Sequence, residues 1–323
     1  MHSPRRARDL GVVVGTLPTG PLNAITDVPG VLVGQTTITG DGLNTGVTAI
    51  VPAGWAAGLP AAVAVGNGYG KLVGTTQIDE LGVIETPVLL TGTLSTFRVA
   101  DALITWLLDR NPRTTSLNPI VGETNDGYLS DIRRRPITPA LVHEALETAS
   151  PALPAEGCVG AGTGTTALGF KAGIGTASRS LTSGQTVGVL VQANFSGLLT
   201  VLGRPVPAPP IDADGNSCMI VVATDLPLDS RQLGRLARRA IFAMGRVGSD
   251  YAPGSGDYAI AFTTAGTPDY ADDDLRGPFQ AVTESVEEAL LNSLTMARTT
   301  TGFQGRTAQA VPHDLITDRL GPR

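Results

Sequence analysis

The sequence predicts a layered sandwich of strands and helices, of the α+β or α/β class, in a chain of 323 residues. Short apolar runs recur between glycine and proline, which indicates strands buried on one or both faces. Helical patterns are fewer and do not alternate with the strands in a βαβ rhythm, which disfavours a Rossmann fold or a TIM barrel. The 40 glycines supply the tight turns of a strand-rich chain.

The predicted elements follow from these periodicities. Strands are predicted at residues 31–38, 47–51, 61–65, 88–90, 119–121, 187–192, 219–223 and 258–262. Helices are predicted at residues 96–108, 140–148, 231–245 and 278–297, with Ser230 as the N-cap of the third. No internal repeat or low-complexity linker divides the chain, so one domain is expected.

Composition disfavours several functional classes. The net charge is −6 and like-charged runs are short, which disfavours nucleic acid and an anionic membrane surface as partners. The apolar stretch at residues 10–14 is too short for a signal peptide, and no run resembles a membrane helix, so a soluble cytoplasmic protein is expected. The two cysteines, Cys158 and Cys218, match no metal or redox spacing and are expected to be buried free thiols.

Three familiar site motifs are incomplete. The glycine-rich run at residues 160–164 leads into a strand-like stretch, whereas a dinucleotide fingerprint needs a helix there. His143 and Glu144 begin a zinc-protease motif without its second histidine, so no metal site is expected. No G-x-S-x-G elbow occurs, and His313 is expected to be an exposed turn residue.

A chain with two lysines and three histidines has little material for a conventional nucleophile–base pair. An N-terminal nucleophile avoids this shortage, because an α-amine with an unperturbed pKa of about 8 can act as the base near neutrality. Residues 212–217 form a small polar segment that places Ser217 at the start of a strand-like run. Its hydroxyl can attack the preceding carbonyl there. By itself, a turn before a strand is a weak signal.

Eight motifs in fixed order strengthen this hypothesis. They are GPLNAITDVPG at 20–30, GNGYGK at 66–71, GETNDGY at 122–128, GCVGAGTG at 157–164, KAGIGTAS at 171–178, VQAN at 191–194, GNS at 215–217 and GSGD at 254–257. Together they resemble the DmpA family of L-aminopeptidase/D-esterases, which includes the β-peptidyl aminopeptidases. The resemblance extends over nearly the whole chain, and an ordered set is far more specific than any single motif.

This resemblance implies a four-layer αββα sandwich, similar to the N-terminal-nucleophile hydrolases but differently connected. It implies a single domain that cuts itself between Asn216 and Ser217 into residues 1–216 and 217–323. It implies no cofactor and no metal. It also implies a homo-oligomer, commonly a tetramer of αβ heterodimers, and a small peptide, amino-acid amide or ester as substrate.

The matched motifs also imply roles for individual residues. Ser217 is the expected nucleophile for self-cleavage and for substrate. Ser255 and Asp257 match the family's supporting serine and acidic residue, with aspartate here in place of the more frequent glutamate. If residues 254–262 form a strand, these two side chains project from the same face. Asn194 matches the asparagine that stabilises the oxyanion.

The substrate-binding candidates are fewer. Glu123 matches the acidic residue expected near the free ammonium group of the substrate, since a buried charge needs a partner. Asp126 is expected to be a turn former. The remaining candidates for the pocket wall are Asn67, Tyr69 and Lys71, of which Lys71 can equally be a structural ion-pair donor.

Three alternatives stay open at this point. An acyltransferase of the ornithine acetyltransferase type would transfer the acyl group, although such enzymes use a threonine nucleophile. An amidase acting on non-peptide amides would accept substrates that lack a free amine. A binding protein that has kept the fold would remain uncut, with an unreactive Ser217.

Overall fold

The computed structural model describes residues 3–208, 216–318 and 320. The strands are β1 (Val31–Gly40), β2 (Leu43–Pro52), β3 (Leu59–Gly68), β4 (Leu72–Val73), β5 (Val83–Ile84), β6 (Val88–Gly92), β7 (Ile120–Thr124), β8 (Thr166–Ala167), β9 (Phe170–Lys171), β10 (Ile174–Ser180), β11 (Thr186–Asn194), β12 (Thr200–Val201), β13 (Arg204–Pro205), β14 (Asn216–Thr224), β15 (Ser255–Thr263), β16 (Thr300–Thr301) and β17 (Thr307–Ala308). The helices are α1 (Thr75–Leu81), α2 (Thr96–Arg110), α3 (Pro139–Glu147), α4 (Ser230–Met244), α5 (Arg276–Thr295) and α6 (His313–Thr317).

The first large sheet has the strand order β1-β2-β6-β7-β4. Its strands β1 and β2 form a long antiparallel hairpin, whereas β6 and β7 run parallel. Helices α2 and α3 cover one face, where Leu103 and Val142 pack with Val47, Leu89 and Val121 of the sheet. The apolar stripes of the two helices are buried in this way.

The second large sheet has the order β10-β11-β14-β15-β3-β5. Strand β14 lies near its centre, antiparallel to β11 and parallel to β15. Helices α4 and α5 cover its outer face, where Leu236 and Val286 share a core with Val189, Ile220 and Ala259. Because β14 is paired on both sides and covered on both faces, its position is strongly constrained.

The inner faces of the two sheets pack against each other. Ile50 and Leu90 of the first sheet share a core with Leu190, Val221 and Ile260 of the second. The order of layers is therefore helices, sheet, sheet, helices. This confirms the predicted αββα sandwich.

The segment before β1 is fixed against α5 by a buried ion network. The Arg179 guanidinium contacts Glu284 at 3.0 Å and Glu288 at 2.6 Å, and Arg8 contacts Glu288 at 2.7 Å. The Thr16 backbone N–H donates to Glu284 at 3.0 Å. Buried charges need such partners. Since α5 follows Ser217 in the chain, the network joins the two predicted pieces.

The structure corrects four sequence-based expectations. It adds α1 and α6, which the periodicity did not predict. The N-cap of α4 is Asp229 instead of Ser230, because the Asp229 carboxylate accepts from the Gln232 backbone N–H at 2.6 Å. His313 lies buried in α6, so the exposed turn was wrong. Cys158 is half-buried, although Cys218 is buried and both thiols are free.

The peptide bond predicted to be cut joins the first two residues of β14, Asn216 and Ser217. Residues 212–215 of the predicted turn before it lie outside the described residues. Among the helices that the structure describes, none is long and apolar enough to cross a membrane.

Candidate active site

Ser217 lies at the start of β14 with a register partner on each side. In the antiparallel pair with β11 it is opposite Asn194, and in the parallel pair with β15 it is beside Gly256. Register partners of adjacent strands are close neighbours and their side chains share a face. The fold therefore brings Ser217 and Asn194 together across 23 residues of sequence.

The Ser217 side chain points into the space between the two sheets. Met219 and Val221 belong to the core between the sheets, and side chains alternate along a strand. Ser217 is only 2% exposed, and its Oγ donates a hydrogen bond to the carbonyl oxygen of Asn216. The hydroxyl is thus next to the carbonyl group of the bond predicted to be cut.

The Asn194 side chain is held in a single orientation. Its Oδ1 accepts from the Thr166 backbone N–H at 3.0 Å, and its Nδ2 donates to the Asn125 carbonyl oxygen at 3.0 Å. An amide held at both ends cannot turn over without losing both hydrogen bonds. Asn194 is the last residue of β11, so this strand and the loop that follows β7 position it jointly.

Ser255 and Asp257 form a hydrogen-bonded pair at the start of β15. The Ser255 Oγ donates to Asp257 Oδ1 at 2.7 Å, and the Asn67 Nδ2 donates to Asp257 Oδ2 at 3.1 Å. Burial raises the pKa of the Asp257 carboxyl, and these two hydrogen bonds oppose the rise. Asn67 therefore stabilises the charged form of the Asp257 carboxylate.

The Ser255–Asp257 pair lies on the helix-facing side of its strand. Ala259 and Ala261 pack in the core beneath the helices, and alternation puts Ser255 and Asp257 on the same side. Asp257 is the register partner of Cys218, whose backbone N–H is directed at the carboxylate. The carboxylate therefore adjoins the backbone of β14, whereas the Ser217 side chain points to the other face.

Glu123 is a buried carboxylate at the end of β7. Its Oε1 accepts from the Lys71 backbone N–H at 2.9 Å and lies 3.6 Å from Lys71 Nζ. Its Oε2 is buried and has no hydrogen-bond partner among the described residues. A buried carboxylate oxygen without a donor is costly, so this oxygen is a candidate acceptor for a ligand.

Two glycines connect Glu123 to Ser217 in space. A Cβ at Gly70 would lie 3.0 Å from Glu123 Oε1, and one at Gly256 would lie 3.0 Å from Gly70 Cα. Gly256 is in turn the register partner of Ser217. The absence of side chains here lets the chain segments approach closely. Glu123 and Ser217 thus belong to one region.

Tyr69 presents its backbone to this region. Its N–H donates to the Ser255 carbonyl oxygen at 3.1 Å, while its side chain is 75% exposed. Lys71 also donates from Nζ to the Thr93 hydroxyl at 2.8 Å, which makes it an ion-pair and hydrogen-bond donor near Glu123.

Sequence reasoning missed two residues near the site. Tyr258 reads as an ordinary strand residue, yet its ring lies beside Gly70 and Gly256. Burial raises the pKa of Tyr258, and the charges of Glu123 and Asp257 raise it further. Only the pairing of β15 with β3 reveals this position, and no local pattern indicates it.

The second is Asp126, which was expected only as a turn former and whose side chain was not assigned to the site. Its backbone carbonyl accepts from Leu129 and Ser130, which is the expected turn. Its carboxyl is fully buried beside Gly92 without a well-formed hydrogen bond among the described residues. Burial raises the pKa of Asp126 to about 7; the Glu123 charge adds to the rise, while the Thr45 hydroxyl and Lys171 oppose it.

Comparison with known proteins gives consistent results. The family model of peptidase family S58 matches residues 23–308. The β-peptidyl aminopeptidase BapA of Sphingosinicella xenopeptidilytica is 39% identical over 362 aligned positions, covering 96% of this chain and 90% of its own. A β-aminopeptidase from a Burkholderia species superposes with a TM-score of 0.90 at 37% identity, covering 99% of this chain and 100% of that one.

A third relative is a solved L-aminopeptidase D-Ala-esterase/amidase from Ochrobactrum anthropi. It superposes with a TM-score of 0.88 at 37% identity and covers 98% of each chain. Its structure was presented as a prototype for the serine aminopeptidases and as a new variant of the Ntn hydrolase fold.

Proposed function

The chain belongs to peptidase family S58 and is a serine aminopeptidase or amidase, and we propose that Ser217 is its nucleophile, freed as an N-terminus by self-cleavage after Asn216. Its substrates are peptides or related amides. The acyltransferase alternative is not favoured, because the matched family and relatives are peptidases and aminopeptidases.

One observation carries the proposal. The Ser217 hydroxyl contacts the carbonyl of Asn216 at the start of a buried strand, and the held amide of Asn194 is its register partner. A nucleophile, the carbonyl preceding it and an oxyanion donor are the parts that an acyl shift needs. A serine with a purely structural role at the end of a strand would need neither the preceding carbonyl beside its hydroxyl nor an amide donor opposite it.

Self-cleavage follows from that arrangement. The Ser217 Oγ attacks the carbonyl carbon of Asn216, and its proton passes to the departing backbone nitrogen. The C–N bond breaks as the ester forms, which leaves a free α-amine on Ser217. Water then hydrolyses the ester, giving the carboxylate of Asn216 and the hydroxyl of Ser217.

The new α-amine supplies the base for peptide hydrolysis. It forms where Asn216 and Ser217 meet, beside their register partners Ser255 and Gly256. The amine takes the hydroxyl proton as Ser217 attacks the substrate carbonyl, and returns it to the leaving amine. The Ser255–Asp257 pair favours the protonated amine by charge and hydrogen bonding. Water then releases the acyl group from Ser217.

Glu123 supplies the preference for a free N-terminus. Its unpartnered Oε2 is buried in the region that contains Ser217, and a substrate ammonium group is the donor that this oxygen lacks. A charged hydrogen bond at such a position is worth about 1.5–3 kcal/mol. Substrates with a blocked amine lose that contact and leave the carboxylate unpaired.

The test is a panel of aminoacyl p-nitroanilides with α-L-, α-D- and β-amino residues, each with an N-acetylated counterpart. We expect wild-type protein to release p-nitroaniline from free amines only, and Ser217→Ala to be inactive. Equal rates on acetylated substrates would reject the role of Glu123. Full activity of Ser217→Ala would show that Ser217 is not the nucleophile.

The tetramer of αβ heterodimers and the cytoplasmic location stay predictions. Light scattering of the purified protein measures the first: the mass expected is four times that of one chain. Immunodetection in fractionated cells measures the second.

A further inference from the structure

The Asn216 side chain is attached to a hydrogen-bond chain outside the proposed catalytic residues. Its Nδ2 donates to Ser196 Oγ at 3.0 Å, and Ser196 Oγ donates to Asp250 Oδ1 at 2.7 Å. Ser196 follows β11, and Asp250 precedes β15. Three separate segments of the chain thus meet at the residue that contributes the carbonyl of the predicted cleavage bond.

The direction of this chain is fixed by its last member. An ionised carboxylate only accepts hydrogen bonds, so the Ser196 hydroxyl must donate its single proton to Asp250. The oxygen of Ser196 is then left as an acceptor and faces the amide nitrogen of Asn216. Asp250 therefore sets the orientation of the Asn216 amide through Ser196, without contacting Asn216.

The two segments that carry Ser196 and Asp250 are tied to each other by backbone contacts. The Asp250 N–H donates to the Ser196 carbonyl at 3.4 Å, and the Leu198 N–H donates to the Gly248 carbonyl at 3.0 Å. The Asp250 carboxylate also accepts from the Ala252 N–H at 3.2 Å. The Ser196–Asp250 pair, which anchors the Asn216 side chain, is therefore fixed in place by the surrounding backbone.

We propose that Ser196 and Asp250 are positioning residues for self-cleavage, an inference that rests on the proposed function. Ser217, on the nucleophile side of the bond, is paired with both β11 and β15, whereas Asn216 is paired with β15 alone. The Ser196–Asp250 pair holds the other side through the Asn216 amide. Fixing both sides keeps the hydroxyl near the carbonyl, and a misplacement of about 1 Å can cost 100-fold in rate.

This role ends when the bond is cut. Asn216 then becomes the C-terminus of the larger piece, and neither Ser196 nor Asp250 belongs to the residues proposed to act on substrate. Replacing Ser196 should therefore slow self-cleavage but leave hydrolysis by the cleaved enzyme unchanged, whereas replacing Asp250 also removes a charge that raises the pKa of Asp257.

The experiment follows cleavage of newly made full-length protein. Wild type and variants are produced by cell-free synthesis, quenched in denaturant over time, and resolved into intact chain and two pieces. We expect Ser196→Ala to cut about 10- to 100-fold more slowly, in the range that misplacement produces. Ser196→Thr, which retains the hydroxyl, should cut within about threefold of wild type.

Ser249→Ala is the matched control, because Ser249 lies in the same loop and its Oγ accepts from the Tyr251 N–H without contacting Asn216. It should cut at the wild-type rate. Asp250→Asn should be slow like Ser196→Ala, because an amide there can reverse the direction of the chain. After complete cleavage, kcat/KM of Ser196→Ala should lie within twofold of wild type.

The outcomes distinguish this inference from the proposed function. An uncut wild-type chain would overturn both. If wild type is cut, two results would overturn the role of the Ser196–Asp250 pair alone. One is that Ser196→Ala cuts as fast as wild type, and the other is that Ser196→Thr cuts as slowly as Ser196→Ala. Reduced kcat/KM in the fully cleaved Ser196→Ala enzyme would also contradict it, since it would place Ser196 in the mature site.

Discussion

The hydroxyl of Ser255 donates to Asp257 Oδ1 at 2.7 Å, which makes the serine a regulator of the protonation of that carboxyl. Burial raises the pKa of Asp257, and the Ser255 hydrogen bond stabilises the charged form against it. The charged form is the one that can accept from the α-amine proposed to form on Ser217. The pH at which the Asp257 carboxyl loses its proton is therefore linked to Ser255.

Ser255→Ala removes a contribution that lowers the pKa of Asp257, so that pKa rises further. We expect the Asp257 carboxyl of the variant to titrate at higher pH than that of wild type. The measurement is an NMR titration of the Asp257 carboxyl carbon in the cleaved variant beside wild type. A titration that stays in place, or moves to lower pH, would contradict the role of Ser255 as the donor that stabilises the charged carboxyl.

Asn194→Asp tests the oxyanion donor while keeping the shape. The variant retains Oδ1 as the acceptor for the Thr166 N–H but replaces the amide donor with a carboxylate oxygen. Loss of one such donor costs about 10²–10³ in kcat. We expect losses of that size in substrate hydrolysis and slower self-cleavage. Wild-type kcat in this variant would assign Asn194 a purely structural role.

Glu123→Gln tests the ammonium contact. The glutamine can still accept from the Lys71 N–H, but the negative charge at the unpartnered oxygen is lost. We expect KM for substrates with a free amine to rise about 10- to 100-fold, which corresponds to the loss of one charged hydrogen bond. Self-cleavage, which involves no substrate amine, should continue at the wild-type rate.

Glu147→Gln is the matched control for that change, because Glu147 is exposed and pairs with Arg110 at 3.2 Å on the outer surface. It should leave KM unchanged. An unchanged KM in Glu123→Gln as well would remove Glu123 from the substrate site.

Asp126 gives a pH dependence of stability. Its pKa is about 7 in the folded chain against an ordinary value of 3.8, so the folded state binds its proton more tightly. This proton stabilises the folded chain fully below a pH of about 4, and the stabilisation is lost as the pH rises through about 7. The free energy of unfolding falls by about 4 kcal/mol at most over this range. Asp126→Asn stays neutral and avoids this loss.

Urea unfolding measures the free energy of unfolding with and without Asp126→Asn. Both proteins carry Ser217→Ala, so that the chain is expected to be uncut. Glu156, whose pKa burial also raises to about 7, contributes the same trend in both proteins and cancels in their difference. We expect the stability of Asp126→Asn relative to the parent to increase from pH 5 to pH 8. A constant difference would show that Asp126 is already ionised when folded.

Eight of the described strands could be predicted because their apolar runs are bounded by glycine and proline: β1, β2, β3, β6, β7, β11, β14 and β15. The strands β2, β6, β11 and β14 each extend one of the predicted runs by a few residues. The pairing of Ser255 with Asp257 could also be anticipated, since an i, i+2 spacing on a strand needs no knowledge of the rest of the fold. Such inferences depend only on local periodicity.

The remainder of the site depends on pairing between distant segments. The register of Asn194 with Ser217, and the approach of Lys71 to Glu123, follow from the order of strands in the sheets, which periodicity does not specify. Helix α1 was missed because a seven-residue segment between two glycines has too short a pattern. The Asp126 backbone forms the predicted turn, but only the packing shows that its carboxyl is buried.

Self-cleavage before Ser217 is tested most directly by intact mass spectrometry of the purified protein beside Ser217→Ala. Wild type should give two fragments, residues 1–216 and residues 217–323 beginning with Ser217, and the variant should give one uncut chain of 33.2 kDa. A single 33.2 kDa species in both preparations, or cleavage that persists in Ser217→Ala, would contradict the N-terminal nucleophile.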